Sequence, residues 1–235
     1  MIVAAALCPA PPLLVRELTG TDPVAADLRI ACLDAAAELM AADPEVIAVA
    51  GAAEQTRTWD GASSLDLTLF APGARARLRA DRSPGLPPAL GVGAWLLGQA
   101  GYTGDRMLQS VAGNEPAGRC AGIGTSLAGS RARVSLLVMA DGTARRGLKA
   151  PGYLDERSAG FDADVERAVR TGRLDALLSI DQDLARDLMA TGRPAWQVLA
   201  GAVAGRRVTS EIRYVGDPFG VAYLVASLRV PPDQP

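Results

Sequence analysis

Asp141, Arg145, Arg146, Lys149 and Tyr153 are the residues whose types and spacing most favour chemistry in this chain of 235 residues. They follow its strongest strand candidate, Val134 to Ala140, which reads VSLLVMA. Arg145, Arg146 and Lys149 put three positive charges within five residues. Such a group suits a carboxylate or phosphate, with arginine binding in bidentate fashion. Gly142, Gly147 and Gly152 would let backbone amides come close to the anion. In this arrangement Asp141 orients the arginines, Lys149 adds charge, and Tyr153 supplies a hydroxyl or a stacking face. The rival arrangement is plain ion pairing, in which Arg145 and Arg146 meet Asp141, Asp155 or Glu156 and pin a long loop.

What is missing narrows the chemistry further. The chain has no histidine, which excludes Ser/His/Asp catalysis. It also leaves Cys8 without a histidine base as a nucleophile. Cys8, Cys32 and Cys120 are odd in number, widely spaced and free of any CxxC. They read as small buried hydrophobes in a reducing cytosol rather than as zinc ligands or a disulfide framework. Gly122-Ile123-Gly124 does not extend to a GxGxxG after a strand, and no Walker sequence is present. A net charge of -2 and 4% aromatic residues offer neither the basic surface nor the stacking platform that nucleic acid requires. With no histidine to titrate, any activity is expected to vary little between about pH 6 and 8.

The elements that must position these residues alternate along the chain. Ile2 to Leu7 and Val46 to Ala50 are continuous apolar runs, as expected of strands covered on both faces. Ser64 to Phe70, Met107 to Ala112 and Val134 to Ala140 read as further strands. Helices are expected at Asp22 to Ala42, with Asp22-Pro23 as its cap, at Leu86 to Ala100 and at Pro116 to Ala128. Ala71 to Pro88 and Asp141 to Ser158 read as loops. Phe161 to Val203 reads as helical segments broken near Gly172, Asp181 and Gly192-Arg193-Pro194, with Trp196 in the core. Arg207 to Tyr214 and Val221 to Leu228 form the closing strands around Gly216-Asp217-Pro218. The pattern is that of an α/β protein: one sandwich domain, residues 1–230, around a mainly parallel sheet with antiparallel C-terminal strands and a short flexible tail. The 49% hydrophobic content is enough for its core. The apolar N-terminal run stops at Cys8-Pro9, too short to span a bilayer, so no membrane partner and a cytoplasmic location are expected.

In open α/β sheets ligands bind beyond the carboxyl ends of the strands. That rule selects Cys8 to Pro12, Gly51 to Thr56, Asp141 to Tyr153 and Gly216 to Gly220. The opening MIVAAALCPAPPLLV, with its strand and Pro-x-Pro-Pro turn, resembles the start of the class III extradiol ring-cleavage dioxygenases, the LigB-like superfamily. The segments Leu137 to Arg146, Lys149 to Asp155, Phe161-Asp162, Trp196 to Gly201 and Asp217 to Tyr223 are similar to an actinobacterial, uncharacterised subgroup of it. The resemblance implies the same α/β fold and a ferrous iron held by two histidines and a glutamate. It puts Ala10 where the first iron-binding histidine stands. Ala50-Gly51-Ala52-Ala53-Glu54 corresponds to the second histidine motif, again without an imidazole. The Asp-x-Ser-His motif of the acid/base histidine resembles Asp141-Gly142-Thr143-Ala144, with alanine in the histidine's place. Glu211 or Asp217 would be the carboxylate ligand.

The expected protein is therefore LigB-like without the iron site and without a bound cofactor, although the family would use Fe(II). It would bind a small anion or aromatic ligand, or act as a scaffold, and would self-associate as a homodimer. One alternative is an enzyme of changed mechanism. In it Asp141 or Glu54 would be the base, arginines would stabilise an oxyanion, and a hard divalent metal would sit among Glu54, Asp141 and Asp217. A residual extradiol-type dioxygenase and a non-catalytic partner subunit are the remaining alternatives.

Overall fold

The computed structural model describes residues 1–20, 23–66 and 85–231. The chain runs through β1 (Ile2–Cys8), a 3-10 turn (Pro12–Leu14), α1 (Arg16–Thr19), α2 (Pro23–Ala41), β2 (Val46–Ala53) and β3 (Arg57–Trp59). It continues with α3 (Pro88–Gln99), β4 (Arg106–Ala112), α4 (Ala117–Ala128), β5 (Val134–Met139) and α5 (Arg157–Arg170). A second 3-10 stretch (Leu174–Ser179), α6 (Gln182–Asp187), α7 (Arg193–Ala202), β6 (Thr209–Gly216) and β7 (Tyr223–Arg229) complete it.

All seven strands join one sheet in the order β3-β4-β2-β5-β1-β7-β6. The four inner strands β4, β2, β5 and β1 run parallel. β3 closes one edge antiparallel to β4, and the β7-β6 pair closes the other antiparallel to β1. This is the expected α/β architecture. β5 is buried along its whole length because β1 and β2 flank it and helices cover both faces. On one face Leu28, Leu39, Leu90 and Leu97 of α2 and α3 pack over Ile47, Val49 and Leu137. On the other, α7 lies against the sheet beneath α4, α5 and the 174–179 turn, with Trp196, Val198 and Leu199 over Ala48, Leu136 and Val138.

Several boundaries differ from expectation for local reasons. The cap expected at Asp22 lies outside the described residues, and α2 begins at Pro23. Of the strand expected at Ser64–Phe70, residues 64–66 carry no strand and the rest lies outside the described residues. The edge strand next to β4 is instead the polar Arg57–Trp59, too short to show a period. α5 begins at Arg157, four residues before the first apolar anchor Phe161. The break read at Asp181 is the cap of α6, where the Asp181 carboxylate accepts from the Leu184 amide at 2.7 Å. The final strands start two residues later than expected, and their register shifts between Ile212 and Tyr214. That irregularity lets Arg213 donate through Nε to Ser227 Oγ at 2.6 Å and pair with Glu38. The three cysteines are buried and unbridged, as expected.

Candidate functional site

The four parallel strands end on the same side of the sheet, so their exit turns converge there. β1 leaves through Pro9-Ala10-Pro11, and the Ala10 amide donates to Asp141 Oδ1 at 2.9 Å. The Asp141 carbonyl accepts from Gly192 N at 2.9 Å, just before α7. Between these turns and the exits of β2 and β4 lies a cavity of about 680 Å³. Ala10, Met139 and Asp141 line it from the middle of the sheet, and Glu54, Arg57 and Trp59 from the β3 edge. Pro87, Pro88 and Ala89 at the start of α3 add apolar surface. The wall is mainly carbon, with three charged side chains set in it.

Asp141 is the group the cavity perturbs most. Burial pushes its carboxyl up from 3.8 to about 6, against the lowering effect of the Ala10 N–H. The Tyr223 hydroxyl is raised as well, by burial first and then by the charge on Asp141. The Cys32 thiol is pushed up by burial, by its hydrogen bond with Cys8 and by the charges of Cys8 and Asp141. Asp141 and the buried groups around it therefore hold their protons tightly. The expected flat response between about pH 6 and 8 rests on the absence of histidine; burial of Asp141 adds a carboxyl raised to about 6, at the lower edge of that window.

A buried arginine, Arg193, which sits in sequence at the expected helix break Gly192-Arg193-Pro194, holds the cavity wall. Arg193 is 2% exposed at the first turn of α7. Its Nη1 donates to Gln197 Oε1 at 2.9 Å, and its Nη2 donates to the carbonyls of Gly113 at 2.9 Å and Glu115 at 2.7 Å. The Glu115 carboxylate accepts from Thr56 Oγ1 at 2.6 Å, and Thr56 Oγ1 accepts from the Ala112 amide at 2.9 Å. One guanidinium thus ties α7, the exit of β4 and the β2–β3 turn together. The signal available was a charge inside RPAWQVLAGA, a segment buried at every position. Gln197, which also donates to Leu177 O at 3.3 Å, belongs to this network and is fully buried. Trp196 is core as expected, but its Nε1 has no hydrogen-bond partner among the described residues.

The structure separates Asp141 from the basic residues read with it. Arg146 lines a different cavity, of about 220 Å³, with Asp162, Asp217 and Trp196. Its Nε donates to Asp217 Oδ2 at 2.9 Å and lies 3.8 Å from Asp162 Oδ2. Its carboxylate partners are thus Asp162 and Asp217, not Asp141, Asp155 or Glu156. Arg145 packs beneath Gly152, and its Nε is buried with no hydrogen-bond partner among the described residues. Lys149 is exposed, and Tyr153 is 62% exposed with a positive φ of 61°. Two of the three glycines, Gly142 and Gly152, have amides already engaged within the protein. Gly142 N donates to Ala222 O and Gly152 N to Ala144 O, and both residues are crowded on the side a Cβ would occupy. Thr143 is buried, donating from N and Oγ1 to Asp162. Because the Arg146 pairs are partly exposed, Arg146→Met should change stability by no more than about 1 kcal/mol in a denaturant melt. A larger loss would mean that the loop depends on this pair.

Iron does not fit these residues. Ala10 offers no donor side chain, the chain has no histidine, and no group of three or more carboxylates or thiols among the described residues could hold a metal. Glu54 and Asp141 share the large cavity, but Asp217 is in the other one and Glu211 is exposed on β6, so the expected carboxylate set is not assembled.

The fold and the cavity define an α/β protein with a mostly parallel sheet and a ligand-sized opening at its carboxyl edge. Neither a family model nor a curated protein matches the chain. Among solved structures it is similar to the crystal structure of the uncharacterized protein JW3007 from Escherichia coli K12. The match has a TM-score of 0.55 at 12% identity and covers 97% of this chain and 99% of that one. At that identity the likeness is one of fold. Among the described residues no helix is long and apolar enough to cross a membrane.

Proposed function

We propose that this chain is a LigB-like protein without the iron site, and that it binds a small molecule with an apolar body in the cavity at the carboxyl edge. The observation that carries this reading is Asp141. It is a carboxylate held in a mainly apolar cavity at the cost of a raised pKa, and among the described residues the Ala10 amide is the one hydrogen-bond donor to its side chain. A structural aspartate would be paired or solvated, whereas a ligand donor would complete this one. The cavity volume falls within the usual range for small-molecule sites. An anion at Arg146 is a poorer reading, since it would compete with two carboxylates already in place.

A thermal-shift screen of small aromatic and aliphatic molecules tests the reading. Binders should raise Tm by several degrees. Ala53→Phe, which fills the cavity, should abolish that shift. The reading fails if no compound shifts Tm, or if the shift survives the filled cavity.

The carboxyl raised to about 6 also favours a second reading, an enzyme in which Asp141 exchanges a proton with the bound molecule. Turnover with a single inflection near that pH, lost in Asp141→Asn while binding persists, would be its signature. The partner-subunit or homodimer reading draws support from the exposed Leu148, Tyr153, Leu154, Met189 and Phe219.

A further inference from the structure

We propose that Arg57 is the anion clamp of the large cavity, and that the molecule it holds is a small carboxylate with an apolar body. This rests on the reading that the cavity binds a small molecule, and it names the chemistry of that molecule.

The arginines near the sheet's carboxyl edge differ in what they already bind. Arg146 is committed to Asp162 and Asp217. Arg193 is buried, and Gln197 and two backbone carbonyls take its donors. Arg57 lines the large cavity, yet it enters no ion pair and donates no hydrogen bond to any described residue. Glu54, three residues earlier on the same wall, does not pair with it. Its recorded partner is the ring of Trp59, with the guanidinium carbon 3.6 Å from the ring centroid. A guanidinium held against an aromatic ring loses little hydrogen-bonding capacity, because its N–H groups point outward along its edges.

The support beneath Arg57 is rigid. Trp59 Nε1 donates to Ser110 Oγ at 2.9 Å, and Ser110 Oγ donates to Gln55 O at 2.7 Å. Ser110 is fully buried on β4. Thr58 Oγ1 donates to Gln109 Oε1 at 3.0 Å, and Thr56 is fixed through Glu115. The short strand β3 is therefore braced at each residue, with Ser110 Oγ also reaching the Arg57 carbonyl at 3.2 Å, and among the described residues Arg57 has no ion-pair partner. A carboxylate fits the fork of a guanidinium in bidentate fashion. The apolar wall made by Met139, Ala52 and the prolines at α3 calls for a carbon body behind that carboxylate.

The test uses the full-length protein and monocarboxylates from butyrate to decanoate, together with benzoate, each paired with its primary amide. Titration calorimetry should show the acids binding more tightly than their amides. Arg57→Gln should weaken the best acid roughly tenfold to a hundredfold and leave the amide unchanged. Arg57→Lys should recover only part of the loss, because it restores charge without the fork. Glu54→Gln should tighten the acid slightly by removing a like charge. Equal binding of acid and amide, or no effect of Arg57→Gln, would overturn the clamp and leave the cavity reading intact. If neither acids nor amides bind, both readings fall together.

Discussion

Gly124→Ala and Gly201→Ala should each destabilise the protein by about 3 kcal/mol, or roughly 6–12 °C in Tm for a chain of this size. Both glycines lie where α4 crosses α7. A Cβ at Gly124 would collide with the Val198 carbonyl oxygen and the Ala202 amide, and one at Gly201 with the backbone of Ala121. The opposing atoms are main chain, so no rotamer change can relieve the contact and one helix must move. α7 has little room to move. Every one of its residues is buried, and Arg193 at its first turn is bonded to the exit of β4. The double variant should cost less than the sum of the two single variants, because one displacement relieves both clashes. Gly122→Ala is the matched control. It lies on the same helix with open space around it, so it should stabilise by about 0.5–1 kcal/mol through helix propensity alone. Urea melts of the four variants decide the matter. If Gly124→Ala is as harmless as Gly122→Ala, the helix crossing is looser than the structure has it.

This crossing also shows where sequence reading stops. The central strands were legible because burial on both faces leaves a run such as VSLLVMA with no polar position to confuse the pattern. The closing antiparallel pair was legible from its turn residues, to within two positions. Topology alone selects the strand-exit segments Cys8 to Pro12, Gly51 to Thr56 and Asp141 to Tyr153, and Ala10, Glu54 and Asp141 within them line the large cavity. The side-chain partners did not follow, because they depend on which loops fold together. Arg146 looked available beside Asp141 in the sequence, yet the turn after β6 brings Asp217 to it from 71 residues away. Arg57 carries no signal in the sequence, because its place over Trp59 depends on an edge strand too short to show a period. Arg193 was hidden by the proline after it, which drew attention to the helix break rather than to the cation inside it.

Asp141→Asn should make the protein more stable above about pH 6 and leave it unchanged near about pH 4. The sign follows from the direction of the shift. Burial raises the folded-state pKa of Asp141 from 3.8 to about 6, so the folded protein holds this proton more tightly than the unfolded chain does. The charged carboxylate therefore opposes folding. The penalty is absent at low pH, grows as the pH rises through the interval between the two values, and is complete above the higher one. The whole shift corresponds to roughly 3 kcal/mol, and some opening of the side chain to the cavity reduces this to about 2 kcal/mol. Asparagine keeps an oxygen for the Ala10 amide and removes the charge, so it should gain that amount, about 4–8 °C in Tm at neutral pH. Melting both proteins from about pH 4 to pH 8 gives two curves that should coincide at the acid end and diverge above it. Parallel curves would show that Asp141 is solvated like any surface aspartate. A ligand that donates a hydrogen bond to Asp141 should reverse the shift and release a proton on binding near pH 6, which appears in calorimetry as a heat that depends on the buffer. Arg57 predicts the opposite arrangement at the cavity's other end, where the ligand brings the negative charge and no proton moves. A carboxylate with a donor group at its far end would engage both residues. For such a molecule the proton release should vanish in Asp141→Asn, while the preference for acid over amide should vanish only in Arg57→Gln.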